Sequence, residues 1–239
     1  MLSGANPTPP LGYKRLVILE NYWLFSFLEK REKVKLMDDA VLPMDAALKR
    51  CWITEKPFYT RYHDEEWGVP LHDDKKLFEL LILEGFQAGL SWWLILKRRN
   101  MLRKAFDNFD PEKVAKYSSA DISRIMNAPG VIKNKAKIAS AVNNAQQSLK
   151  IQTEFGTFDA FIWQFVKGKA INNKFNSFSE IPAQTEESRV MSRELKRRGF
   201  KFVGPTICYA FMQAAGLVND HQTWCFRYEQ IRNAENTFP

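Results

Sequence analysis

Cysteine is scarce. Cys51, Cys208 and Cys225 are the whole supply in 239 residues, an odd number that cannot pair completely. With no secretory pattern alongside them, they argue against a disulfide-built scaffold and leave reduced thiols available to a metal. Long apolar runs are missing too. The longest early one, "LVILENYWLFSFL" at 16–28, is interrupted by Glu20 and Asn21, lacks a small-residue cleavage site after it, and is too short to span a bilayer. It reads as an amphipathic helix that packs on something, not as a signal or an anchor. Period-two alternation of apolar and polar residues is nearly absent, which argues against a β-rich fold. There is no internal repeat and no low-complexity tract.

What the chain does have is size, positive charge and helical periodicity. At 45% hydrophobic it can bury a sizeable core. The net charge is +8, with basic residues gathered at 97–99 ("KRR") with Arg103 and Lys104, at Lys133, Lys135 and Lys137, and at 196–201 ("KRRGFK"). Any one cluster could be a solvated helix face; three together raise a positive potential that favours a polyanion such as nucleic acid. Residues 1–12, rich in proline and glycine, read as an extended tail, and roughly Arg15 to Lys35 as a helix. A boundary falls within 38–50, so we read residues 1–43 as an N-terminal extension and 44–239 as the main domain.

Within that domain, "DDKKLFELLILEGFQAGLSWWLILKRRNMLRKAF" carries helical periodicity that Gly85 and Gly89 should break, and Ser91 can cap a second helix running to about Phe106. Glu84 sits near that corner among Ile82, Leu83 and Phe86, where an acid is out of place unless something pairs with it. Further on, Asp121 to Met126 and Lys133 to Leu149 read as two helices joined by the turn "APGV" at 128–131. Such a turn, followed at once by lysines, can present amide hydrogens to a DNA phosphate. It can equally be a turn of geometric necessity. Gly130, Lys133 and Lys135 are the candidate backbone contacts.

The stretch 51–68, "CWITEKPFYTRYHDEEWG", packs one Cys, one His, four acids and five aromatics together. Near the other end, "VNDHQTWC" sets His221 and Cys225 four apart, a spacing that puts both on one face if the segment is helical. Two donors are too few for a metal. Cys51 and His63 are the natural complement, completing a Cys2His2 tetrahedral set with no open position, hence a structural zinc rather than a catalytic one. The spacing is unlike a zinc finger, and buried thiols with satisfied core histidines are the competing reading. Cys208, inside "TICYAFM", fits a plain buried thiol. The rings Trp52, Phe58, Tyr59, Tyr62, Trp67, Trp92 and Trp93 flank the metal segment and the Glu84 corner; most should be core, but rings can also stack a flat base, at about 1 to 3 kcal/mol for each base.

The blocks "RYHDEEWGVP", "LEGFQAGLSWWLILKRR", "FDPEKVAKYSSADISRIM" and "RGFKFVGPTICYAFMQAAGLVNDH", with the Cys and His pairs, resemble the 3-methyladenine DNA glycosylase I family, zinc-containing members of the helix-hairpin-helix DNA glycosylase superfamily. The likeness runs from about Arg50 to Cys225. It implies an all-α helix-hairpin-helix glycosylase fold, in which a structural Zn2+ joins N- and C-terminal segments of the catalytic domain. It also implies hydrolytic excision of 3-methyladenine from alkylated double-stranded DNA. A monomer is the expectation for a protein that scans DNA, and the bacterial cytoplasm its expected place. By motif, the zinc ligands fall on Cys51, His63, His221 and Cys225, and the acid that contacts the extruded base on Glu84. The rings of the base pocket fall on Tyr62 and Trp92, with Tyr59 and Trp52 as further candidates. Two departures stand out. Cys51 and Trp52 are adjacent where the family has a residue between them, and family members begin near a position like Met44, so residues 1–43 are expected to be an appendage or the product of upstream translation. A non-enzymatic DNA-binding protein on the same fold and a glycosylase for another lesion are the rival readings.

Overall fold

The computed structural model describes residues 48–52 and 55–234; the expected tail, the 15–35 helix and most of the 38–50 boundary lie outside them. The described residues are predominantly helical. In chain order the helices are α1 (Pro57–Glu65), α2 (Asp74–Gln87), α3 (Trp92–Ala105), α4 (Pro111–Val114), α5 (Ser119–Asn127), α6 (Lys135–Phe155), α7 (Phe158–Trp163), α8 (Glu186–Arg197), α9 (Pro205–Ala214) and α10 (Phe226–Ala234). The departure from an all-helical expectation is small: β1 (Ile171–Asn172) and β2 (Val218–Asn219) pair in parallel, Ile171 opposite Val218. Its consequence is local, because β2 leads directly into the segment that carries His221.

Helix α2 organises the core. Leu77, Leu80 and Leu81 face one apolar cluster, built with α7, α8 and α9. Phe78, Ile82, Leu83 and Phe86 face a second, built with α3, α5 and α6. A helix apolar on nearly every side is one that must be surrounded, and α2 is buried from Leu77 through Phe86. Asp73 starts it, its side chain accepting from the Lys76 amide at 2.9 Å. Gly85 does not break it as the sequence suggests. A Cβ there would lie 3.2 Å from the Phe202 Cβ, so the glycine permits a close approach inside an intact helix. The corner falls later, at 88–91, where Gly89 takes φ 77° and Ser91 caps α3 by accepting from the Leu94 amide at 3.3 Å.

A second glycine fixes how the link between α1 and α2 sits on the end of α9. Gly216 has φ 72°, and a Cβ on it would lie 2.3 Å from the Val69 carbonyl carbon and 2.4 Å from the Pro70 nitrogen. Beside it, the Leu71 amide donates to the Ala215 carbonyl at 3.1 Å. Gly216→Ala is therefore expected to destabilise the protein by at least about 2 kcal/mol. Gly168→Ala, at φ 74° with open space around it, should cost only the positive-φ conformational term of about 1 kcal/mol. Urea unfolding of both variants checks this; equal losses would mean the Val69 contact is relieved by a shift of the link.

Candidate functional site

Four donors from opposite ends of the domain meet. Cys51, His63, His221 and Cys225 are all buried, and one ligand atom from each lies within 4.8 Å of the others. Cys51 Sγ stands 3.3 Å from His221 Nδ1, and Cys225 Sγ stands 3.5 Å from both His63 Nε2 and His221 Nδ1. Those are edge lengths suited to a metal-centred tetrahedron, about 3.3 to 3.8 Å for ordinary metal–sulfur and metal–nitrogen bonds. The remaining ring nitrogens are already engaged: His63 Nδ1 lies 2.7 Å from Asp64 Oδ1, and His221 Nε2 lies 3.0 Å from the Trp67 carbonyl. Donation by those nitrogens leaves an acceptor lone pair on each atom that faces the sulfurs. Arg50 holds Asp64 in place through Nε at 3.0 Å and Nη2 at 2.9 Å. The two thiols are unequal. A hydrogen bond from Cys51, then those to His221 and His63, hold Cys225 well below the usual thiol range, while the same contact and burial push Cys51 up. The cluster could hold a metal ion.

The spacing of His221 and Cys225 works for a reason other than a helix face. Both lie before α10, on a turn closed by the Cys225 amide donating to the Gln222 carbonyl at 2.8 Å. Asp220 anchors the approach to that turn, accepting from Tyr209 Oη at 2.6 Å, Gln213 Nε2 at 2.8 Å and Asn173 Nδ2 at 2.6 Å. The chain reverses because β2 is pinned to β1, and the reversal brings the two donors together.

Against this cluster packs a set of rings. Tyr59 and Tyr62 are parallel on α1 at 6.4 Å between centroids, Tyr62 lies 5.7 Å from Trp92 at 55°, and Trp52 lies 5.8 Å from Tyr59. Trp52 also edges His63 at 4.6 Å and Trp67 at 4.8 Å, so it belongs to the ring set and to the wall of the donor cluster alike. Phe178, from a short 3-10 turn, closes the set at 6.3 Å from Trp52.

Helix α2 supplies two buried glutamates with opposite circumstances. Glu79 accepts from Arg99 Nε at 2.6 Å and Arg103 Nε at 2.9 Å, and Arg99 also reaches Glu66 at the end of α1. It is a paired ion that ties α1, α2 and α3 together. Glu84, 3% exposed, has no hydrogen-bond donor on its carboxyl among the described residues, and burial pushes its pKa up to about 8. Its charge is felt by Tyr62, whose hydroxyl is raised first by burial and next by Glu84. An unpaired buried acid is costly to keep.

The turn at 128–131 joins α5 and α6, with Gly130 at φ 75°. Lys133 and Lys135 beyond it are exposed, whereas Lys137, the third lysine of that cluster, is buried. Cys208 is a buried thiol in α9, as expected. Sequence reasoning missed Asp64, Arg50 and Phe178. Asp64 had a signal, as an acid directly after a donor histidine; Phe178 had none, being brought over 100 residues by tertiary packing.

Comparison with known proteins gives the chain its relatives. The methyladenine glycosylase family model matches residues 52–228. DNA-3-methyladenine glycosylase 1 of Escherichia coli is 47% identical over 182 residues, 76% of this chain and 97% of that protein. A crystal structure of 3-methyladenine DNA glycosylase I superposes with a TM-score of 0.73 at 46% identity, covering 74% of this chain and 98% of the other. A Tyr-to-Phe variant of 3-methyladenine DNA glycosylase I in complex with 3-methyladenine superposes at 0.71 with 40% identity, over 72% of this chain and 93% of the other. With three-quarters of its length matched in sequence and in fold, this chain belongs to the methyladenine glycosylase family.

Proposed function

We propose that this protein excises 3-methyladenine from alkylated double-stranded DNA by hydrolysing the N-glycosidic bond, and that Glu84 reads the lesion. The observation that carries the reading is the carboxyl of Glu84, buried without a donor among the described residues, its charge felt by Tyr62, whose ring lies against Trp92. Methylation at N3 gives adenine a positive charge and weakens its glycosidic bond, so the leaving group needs no proton. The enzyme's work is then extrusion and recognition. Extrusion costs a few kcal/mol of unstacking, least for a damaged base. Over the Tyr62 and Trp92 rings the cationic base gains a cation–π attraction of about 0.5 to 2 kcal/mol that neutral adenine lacks. Tyr59 and Trp52 extend that ring surface. Glu84 adds attraction for the same charge and accepts from the exocyclic amine. Water supplies the hydroxyl.

Gly130, Lys133 and Lys135 grip the backbone: the turn acts as the hairpin of a helix-hairpin-helix element, offering amides to a phosphate, with the two exposed lysines beside it. Cys51, His63, His221 and Cys225 hold a zinc ion whose four protein ligands leave no position for substrate; it ties residue 51 to residue 225 and so frames α1. The enzyme works as a monomer in the cytoplasm. The test is a panel of duplexes carrying different methylated and deaminated bases, with released bases separated by chromatography. Release of 3-methyladenine, with neutral purines retained, is expected. Release of a different lesion with 3-methyladenine retained would reassign the substrate, and no release at all would leave a DNA-binding protein without activity.

A further inference from the structure

Lys137 is 5% exposed, on the inner side of the first turn of α6. Its Nζ donates to the Phe86 carbonyl at 2.8 Å and to the Ala88 carbonyl at 2.5 Å. Among the described residues it has no acidic partner, and burial alone lowers its pKa. An apolar side chain would fill this space without the cost of desolvating an ammonium, so the charge is spent on those two carbonyls. Both belong to the end of α2, where backbone acceptors lack partners within the helix and the dipole is negative. Lys137 is thus a cap for α2, delivered from another helix 49 and 51 residues away.

Where it acts matters more than that it stabilises. The end of α2 is the corner 88–91, which runs from the helix of Glu84 to the helix of Trp92, with Gly89 exposed at its tip. Seven residues before Lys137 stands Gly130, packed so tightly on α3 that a Cβ would lie 2.1 Å from Met101 Sδ. The turn is seated on α3, and α6 is bolted to α2. Tyr62, Glu84 and Trp92 come from α1, α2 and α3, so the ring set is complete without α6; what α6 supplies is its placement relative to the turn.

We propose that Lys137 is a positioning residue for base release, locking the 88–91 corner to the element that grips the DNA backbone, so that duplex binding and placement of the extruded base become one rigid event. This rests on the glycosylase reading above. Lys137→Met in the full chain keeps an apolar stem and removes the ammonium. Three quantities are measured: single-turnover release of 3-methyladenine from methylated duplex, affinity for free 3-methyladenine by tryptophan fluorescence, and Tm. Release is expected to fall about 10- to 100-fold, the scale of a displacement of about 1 Å. Free-base affinity should stay within about threefold of wild type, because the ring set is untouched. Release unchanged while Tm drops would make Lys137 a structural cap only and overturn the proposal. So would release and free-base affinity falling by the same factor, which places the damage in the pocket. If Lys137→Met yields no folded protein, Lys137→Gln, which retains one donor, is read by the same three measurements and the same criteria. A wild-type protein that releases no 3-methyladenine refutes the underlying reading instead.

Discussion

Glu84→Gln should lose at least about tenfold to a hundredfold in 3-methyladenine release while folding more stably than wild type above neutral pH. The loss follows from removing a charge-assisted hydrogen bond to a cationic base, worth about 1.5 to 3 kcal/mol. The gain follows from linkage. In the unfolded chain the carboxyl ionises near its ordinary value of 4.5, whereas in the fold burial holds it protonated up to about 8. Between those limits the folded state binds the extra proton, so wild-type stability falls as pH rises, by about 1.4 kcal/mol per unit. Glutamine has no such proton to lose. The Tm difference between variant and wild type should therefore widen from pH 5 to pH 8, reaching roughly 5 °C or more for a chain of this size. The same displacement shapes activity: kcat/KM, which reports the free enzyme, should climb with pH and level off above about 8, and that limb should flatten in Glu84→Gln. Parallel Tm curves, or release in the variant at wild-type rate, would remove Glu84 from the role given it.

The contrast between Glu79 and Glu84 shows what a sequence can and cannot disclose. Both stand in the same apolar helix, five residues apart, and periodicity marks either as anomalous. Only the fold reveals that Arg99 and Arg103 reach Glu79 while, among the described residues, no donor reaches Glu84, because those arginines arrive from α3 at distances set by packing. Local chemistry was legible: the Ser91 cap, the corner after α2 and the turn at 128–131 follow from side-chain hydrogen bonding and glycine conformations that act over three or four residues. Gly85 misled because its role is tertiary, an approach to Phe202 that a local rule reads as a break. Lys137 misled for a related reason, since a run of lysines reads as a solvated face until one of them is seen to turn inward. That Cys51, His63, His221 and Cys225 gather was legible from chemistry, from which side chains want a partner, while the turn that aligns His221 with Cys225 was set by a two-residue strand pairing too short to leave a pattern.

Removing the proposed zinc is expected to have the largest effect on the fold. Cys51 and Cys225 are 174 positions apart, and no disulfide ties them; the donor cluster joins residue 51 to residue 225 alongside the Phe226 amide, which donates to the Lys49 carbonyl at 3.0 Å, and it reaches α1 through His63. Structural zinc contributes about 10 to 16 kcal/mol in small peptides that have no other core. Here two large apolar clusters exist independently, so the loss should be local before it is global. Elemental analysis of the purified protein should give about one zinc per chain. Cys225→Ser should lose most of that zinc, with Tm lower by roughly 10 °C or more. It should also lose release activity, because Tyr62 precedes His63 on the helix that the metal frames. Glu84→Gln should keep its full complement of zinc, which separates loss of the base-reading acid from loss of the frame. A Cys225→Ser protein with undiminished zinc would show that the metal sits elsewhere or is held without that thiol. Retained zinc with unchanged Tm in wild type after exhaustive chelation would show that the ion is not reachable, and the test then passes to refolding from denaturant with and without zinc, where only the metal-supplied sample should regain release activity.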